Sequence, residues 1–214
     1  MKKKTIVFDL DDTLVKEIDY LKSAFAEIAR QVDPRQAGLF EEMVAWYQNK
    51  EDVFGKLEQR TGKVLKPELK NTYRNHFPNY NPKSENRELL HALKNDGHIL
   101  GLVTDGFSVT QRNKIKALDI ADVFDLIVIS EEFGSEKPSE RNFSVFHDFG
   151  TKEYFYVSDN VSKDFITPNR LGWTTICLLD DGKNIHPQDF AKSEEYLPKY
   201  KIANLHEIKN IITE

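Results

Sequence analysis

The chain has one cysteine, Cys177, in 214 residues, so an internal disulfide and a cysteine-rich zinc site are both excluded. Its six histidines are scattered, without the HxH or HxxxH spacing of a histidine metal site. No apolar run approaches the roughly 18 residues that a membrane span requires. The start, Met1-Lys2-Lys3-Lys4, has the basic character of a signal peptide, but only Ile6-Val7-Phe8 follow before Asp9, Asp11 and Asp12. A cytoplasmic protein with no membrane partner is expected, its three lysines a solvated approach to the first strand. Cation is not in surplus either: Lys and Arg number 30 against 35 Asp and Glu, a net charge of -5. A chain without surplus cation to displace phosphate counterions is a poor candidate for a sequence-independent nucleic-acid binder, and no nucleic-acid partner is expected. What is present is 39% hydrophobic and 30% charged residues, the balance of a soluble globular protein. A chain this long buries roughly 70% of its unfolded surface and needs no covalent staples.

Five short apolar runs stand out: Ile6–Phe8, Ile99–Val103, Leu126–Ile129, Tyr154–Val157 and Thr174–Leu179. They are continuous rather than alternating, which predicts strands buried on both faces of a parallel sheet. Helical patterns lie between them, over Ser84–Asn95, Ser108–Leu118 and Ser139–Phe149. The last four strands start 27, 28 and 20 residues apart, which suits βαβ units. The first interval differs. Ile18, Leu21, Phe25, Ile28 and Val32 recur at helical spacing, and Leu39, Phe40, Met43, Val44 and Tyr47 repeat the pattern. Shorter helical segments follow near Val53–Arg60 and Pro67–Phe77. Residues 16–80 thus read as a helical insertion, and His76–Pro82, with two prolines, as the linker back to the core. After Asp180 the chain is turn-rich up to an edge strand at Lys201-Ile202-Ala203 and a last helix through Ile208, Ile211 and Ile212.

The polar residues fall at one kind of place. Asp9 ends strand one, Thr104 and Asp105 end strand two, Glu136-Lys137-Pro138 lie just beyond strand three, and Asp159 ends strand four with Asp164 five residues on. Ligands of open α/β sheets bind outside the carboxyl ends of the strands, so these groups should meet in one pocket. Three or four carboxylates beside one lysine repel one another unless a cation sits among them. Oxygen ligands without His or Cys select Mg²⁺, which favours phosphate substrates. Asp9 and Asp11 are two apart and face one side in extended chain, a spacing fit for a nucleophile and a general acid/base. Thr104, the Asp105-Gly106 turn and Lys137 are donors for phosphate oxygens. Asp12 faces away and reads as a turn or capping residue.

Val7-Phe8-Asp9-Leu10-Asp11-Asp12-Thr13-Leu14 resembles motif I, DxDxT, of the haloacid dehalogenase (HAD) superfamily. Leu102–Gly106 resembles motif II, Glu136-Lys137-Pro138 motif III, and Tyr156–Asn160 continuing to Lys163-Asp164-Phe165 motif IV. All four stand in order. The resemblance implies a Rossmann-like three-layer α/β fold with a parallel sheet of order 5-4-1-2-3, a catalytic core over residues 1–15 and 84–214, and a helical cap over residues 16–83. It implies a Mg²⁺-dependent phosphatase for a small phosphorylated metabolite. Asp9 would form an aspartyl-phosphate, Asp11 would be acid and then base, and Lys137 would neutralise charge. Thr104, Asp105, Gly106 and Lys137 would hold the phosphate. Asp9, the Asp11 carbonyl, Asp159 and Asp164 would bind or support the metal. Two positions depart from the family pattern: Ser158 replaces a glycine, and Asp105 stands where Asn is frequent.

Other readings compete. A phosphomutase or phosphotransferase uses the same core with a tighter cap. A metal-independent dehalogenase has no use for an acid at Asp11 or a metal ligand at Asp159. A phospho-accepting receiver module places its acceptor roughly 40–50 residues after the acidic pair, where this chain carries helices, and is shorter by about ninety residues.

Overall fold

The computed structural model describes residues 2–35, 37–80 and 84–213. Six strands, β1 (Thr5–Phe8), β2 (Ile99–Thr104), β3 (Leu126–Ile129), β4 (Tyr154–Ser158), β5 (Thr174–Leu178) and β6 (Tyr200–Ile202), form one sheet. Its order is β3-β2-β1-β4-β5-β6 and every pairing is parallel. The expected order of five strands is therefore present, extended by one edge strand that pairs outside β5.

Side-chain alternation sorts the apolar runs onto two faces. Ile6, Phe8, Leu100, Leu102, Phe155, Val157 and Ile176 point to one side. There they meet helices α5 (Glu85–Asn95), α6 (Ser108–Ala117) and the terminal α10 (Ile208–Thr213). Val7, Val103, Val128, Tyr156 and Cys177 point to the other, against Phe143, Phe146, Phe165 and Trp173. Both faces are dry, which is why the strands read as continuous hydrophobic runs. Cys177 is packing material: burial pushes its thiol up to about 12. Gly101 in β2 is there because the chain has no room for more; a Cβ would lie 2.2 Å from the Phe146 ring.

The first face accounts for a departure at the amino terminus. Lys2 and Lys3 are exposed, but Lys4 is buried and donates to the Ile212 carbonyl while pairing with Glu153 at 2.9 Å. Only two of the three lysines are solvated. A second departure concerns the segment expected as a helix over Ser139–Phe149. It is a short helix, α8 (Arg141–Ser144), that tightens into a 3₁₀ turn over Val145–Phe149. Phe143, Phe146 and Phe149 are spaced by three, the 3₁₀ period, so the tighter winding turns all three rings toward the sheet. The remaining short helices are α7 (Ser130–Phe133) and α9 (Ile166–Arg170).

Between β1 and β2 come α1 (Glu17–Val32), α2 (Leu39–Gln48), α3 (Val53–Thr61) and α4 (Lys66–Asn75). Their inward faces share a third apolar cluster, centred on Leu21, Phe25, Ile28, Leu39, Met43, Leu57 and Leu69. Trp46, Tyr47 and Phe54 pack against its edge. The carboxyl end of α4 is fastened to α6: Thr110 Oγ1 donates to the Arg74 carbonyl at 2.8 Å, and Asn113 Nδ2 to the Asn75 carbonyl at 3.1 Å. His76, just past α4, is buried and joins Ser23 and Glu27 of α1. Residues 81 and 82 of the expected return linker lie outside the described residues.

Candidate active site

Parallel register carries the chemistry to one edge. Phe8 pairs with Leu102 on one side and Val157 on the other, so the residues that follow β1, β2 and β4 emerge together. Asp9, Asp11, Thr104, Asp105, Lys137, Asp159 and Asp164 all line one cavity of about 200 Å³.

After β1 the chain makes a tight turn. The Leu10 carbonyl accepts from Leu14 N–H at 2.8 Å, and Asp12 N–H donates to the Val15 carbonyl at 2.7 Å. Asp12 sits at φ +53°, a conformation Asp tolerates better than most residues. Its carboxylate accepts from the Glu17 and Ile185 N–H groups, so Asp12 caps α1 and ties down the loop after β5. This turn presents the Asp11 carboxylate to the cavity.

Lys137 is the hub. Its Nζ donates to Asp9 Oδ1 at 2.8 Å and to Asp164 Oδ2 at 2.9 Å, and all three residues are buried. Burial alone would lower the lysine, yet the Asp164 and Asp9 carboxylates hold it well above its usual range. Lys137 is therefore a permanent cation. Asp164 is fully buried and also accepts from the Ser158 hydroxyl, while its Oδ1 has no hydrogen-bond partner among the described residues. Ser158, the departure from the family glycine, thus supplies a hydroxyl that orients Asp164.

Asp105 resolves in a similar way. Its Oδ1 accepts from the Lys137 N–H at 3.1 Å and its Oδ2 pairs with Lys163 at 2.6 Å, so its charge is spent on the loop that carries Lys137. Gly106 is held by the neighbouring loop. Its N–H, expected to face a phosphate, is donated to Ser130 Oγ at 2.9 Å. At φ +135° it serves the turn, in a conformation that side-chain-bearing residues rarely adopt.

Asp9, Asp11, Asp159 and Asp164 share the cavity, but among the described residues no three His, Cys, Asp or Glu side chains close into a metal cage. Lys137 stands between Asp9 and Asp164. The donor set that remains fits Mg²⁺, which takes one or two carboxylates and fills its sphere with carbonyl oxygen and water. Charge fits as well. Burial pushes Asp9 up to about 7, with Lys137 opposing and Asp164 adding to the rise. Burial pushes Asp159 up to about 8, and Asp9 and Asp164 add to it. Two desolvated carboxyls raised by burial and by neighbouring carboxylates are relieved by a divalent cation.

This has a measurable consequence without metal. Both carboxyls hold protons more tightly in the folded chain than in the unfolded one, so stability falls as pH rises from near 4 through 7–8. In EDTA the urea midpoint is expected to be lower at pH 8 than at pH 5. Asp159→Asn should narrow the corresponding gap in unfolding free energy by an amount on the order of a few kcal/mol. A wild type as stable at pH 8 as at pH 5 would refute it.

Several site residues carry no motif. Gln111 and Lys114 of α6 are buried and turn inward. Lys114 Nζ meets Asp11 Oδ1 at 2.6 Å; Gln111 Nε2 donates to Asp11 Oδ2 at 2.9 Å and to Thr104 Oγ1 at 2.5 Å. Asn184 Nδ2 donates to Asp159 Oδ2 at 2.9 Å. Glu17, at the start of α1, is pushed up to about 7 by burial and by Asp11, against the pull of Lys114. Gln111 and Lys114 stand three residues apart and so share a face of α6, a weak signal in the sequence; Asn184 and Glu17 carry none.

A family profile described as haloacid dehalogenase-like hydrolase matches residues 6–178. A glyceraldehyde 3-phosphate phosphatase of Methanopyrus kandleri is 31% identical, over 99% of this chain and 97% of that protein. The glyceraldehyde 3-phosphate phosphatase of Methanocaldococcus jannaschii is 32% identical, over 98% and 96%. Among solved structures, a Bacillus subtilis protein described as a HAD-hydrolase bound to magnesium superposes with a TM-score of 0.69 at 18% identity, over the whole of both chains. That likeness concerns the fold; the chemistry rests on the site.

Proposed function

The chain belongs to the haloacid dehalogenase-like hydrolases, and from that premise we propose that it is a Mg²⁺-dependent phosphatase acting on a small phosphorylated metabolite through an aspartyl-phosphate. The observation that carries the reading is the pair Asp9 and Lys137. A buried carboxylate at the end of the central strand has a permanent cation 2.8 Å away and a second carboxylate, Asp11, two residues on in the same cavity. The full-length relatives named as phosphatases support it. In this reading α1–α4, within residues 16–83, form a cap over a core of residues 1–15 and 84–214.

Asp9 attacks phosphorus. As the bond to the leaving oxygen breaks, Asp11 delivers a proton to that oxygen. Water then attacks the phosphorus of phospho-Asp9, Asp11 takes its proton, and Asp9 and inorganic phosphate are released. Thr104 Oγ1 and Lys137 Nζ hold and neutralise the phosphoryl oxygens, and positioning of this kind supplies most of the rate in phosphoryl transfer. Mg²⁺ would be held by the Asp9 and Asp159 carboxylates and the Asp11 carbonyl, and supplies positive charge against the phosphoryl oxygens. Asp164, turned to Lys137, acts as the positioning residue for that cation.

The test is phosphate release across a panel of phosphorylated metabolites. Turnover is expected with Mg²⁺, to vanish in excess EDTA and to return when Mg²⁺ is restored. Full turnover in EDTA contradicts the metal assignment, and no turnover of any phosphate monoester contradicts the reaction.

A further inference from the structure

A second cavity, of about 280 Å³, adjoins the carboxylate cavity and shares Asp11, Glu17 and Asp105 with it. It lies between α4 and α6. A leaving-group oxygen placed beside Asp11 faces this space, so the organic part of an ester would occupy it. At roughly 30 Å³ per water it holds about nine water volumes, room for an organic part of about three to six carbons.

Its charges are arranged by depth. The inner end is acidic, with Asp11 and Glu17, and the cation there, Lys114, is already paired with Asp11. Asp105 is likewise paired, with Lys163. The outer end carries Lys70 and Arg74, four residues apart on α4 and so on one face of that helix. Both are exposed, and among the described residues neither forms an ion pair with a carboxylate. The Arg74 guanidinium lies over the Phe107 ring, 4.0 Å from its centre. Stacking occupies a face of the guanidinium and leaves its edge N–H groups free to grip an anion. Tyr20 and Tyr73 supply the walls between the two ends.

We propose that Arg74 and Lys70 hold a second anionic group of the substrate. The preferred substrates are then small phosphate monoesters with a carboxylate or a second phosphate at the end distal to the scissile group. This rests on the phosphatase reading above and adds a substrate class to it. An anion at the inner end would meet Asp11 and Glu17, so only the outer end accepts it.

The experiment compares kcat/KM within matched pairs in the presence of Mg²⁺. One arm sets 3-phosphoglycerate against glycerol 3-phosphate; the other sets fructose 1,6-bisphosphate against fructose 6-phosphate. The two arms separate a carboxylate from a phosphate as the second anion. Wild type is expected to favour the doubly anionic member of at least one pair by about tenfold or more, chiefly through KM, as a charge-assisted hydrogen bond to Arg implies. Arg74→Met combined with Lys70→Met should bring that ratio close to one, and Arg74→Lys should keep part of it. Lys152→Met, at an exposed residue outside both cavities, should keep all of it. A ratio within each protein is insensitive to a uniform loss of active enzyme. A wild type that hydrolyses both members of both pairs equally well overturns this inference and leaves the phosphatase reading standing. So does a double variant with an unchanged ratio. A wild type that releases phosphate from no ester overturns both.

Discussion

Asp9→Asn is expected to lower turnover by a factor on the order of 10⁵–10⁶, the scale seen when a covalent nucleophile is removed. An amide cannot form the acyl-phosphate bond at a useful rate, so the covalent route closes. The fold should survive. Asn has the shape of Asp, and Lys137 keeps Asp164 as its partner at 2.9 Å. The substitution also removes a carboxyl that burial has pushed up to about 7, and with it a source of repulsion toward Asp159. The variant should therefore unfold at a temperature no lower than wild type at pH 8 in EDTA. Mass spectrometry of an acid-quenched reaction should find phosphate on wild-type Asp9 and none on the variant. A variant that retains more than about one hundredth of wild-type turnover would remove Asp9 from the nucleophile's role.

Asp11→Asn should lose about 10²–10⁴ in rate with an alkyl phosphate, the scale of general acid–base catalysis. The loss should be much smaller in the phosphorylation step with an aryl phosphate, whose leaving group departs without a proton. Water activation then becomes the slow step, and phospho-Asp9 should accumulate in the variant. This contrast isolates proton transfer from structural damage. The substitution also deprives buried Lys114 of its carboxylate at 2.6 Å, and removing one partner of a buried ion pair costs stability. That cost, and any displacement of Gln111, affects both substrates equally. An identical deficit for the two esters in the phosphorylation step would reduce Asp11 to a structural part.

Much of this was legible before any coordinate. Continuous apolar runs imply a parallel sheet covered on both faces, and parallel strands all end at the same edge. Residues that follow such strands meet at that edge, which brings Asp9, Thr104 and Asp159 together, with Lys137 from the loop beyond the third strand. The repeat of Ile18, Leu21, Phe25 and Ile28 likewise implies a helix with one buried face, and α1 buries Leu21, Phe25 and Ile28. Hydrophobic periodicity reports one thing, which residues leave water, and these features depend on little else.

What periodicity does not report is where a polar side chain finds its partner. Gln111 and Lys114 give no apolar signal on α6, and a lysine on a helix is ordinarily solvated. They are buried because that helix packs beside the turn after β1, where Asp11, 103 residues from Lys114 in the chain, repays the desolvation. Asn184 against Asp159 and Ser158 against Asp164 follow the same rule, as does the loss of the Gly106 N–H to Ser130. Arg74 and Lys70 line the second cavity because α4 ends against α6. The local sequence determined the sheet, the helices and the edge where the chemistry sits. The tertiary structure alone decided how each charge there is paired, because an ion pair is made by atoms that meet in space and leaves no period in the chain.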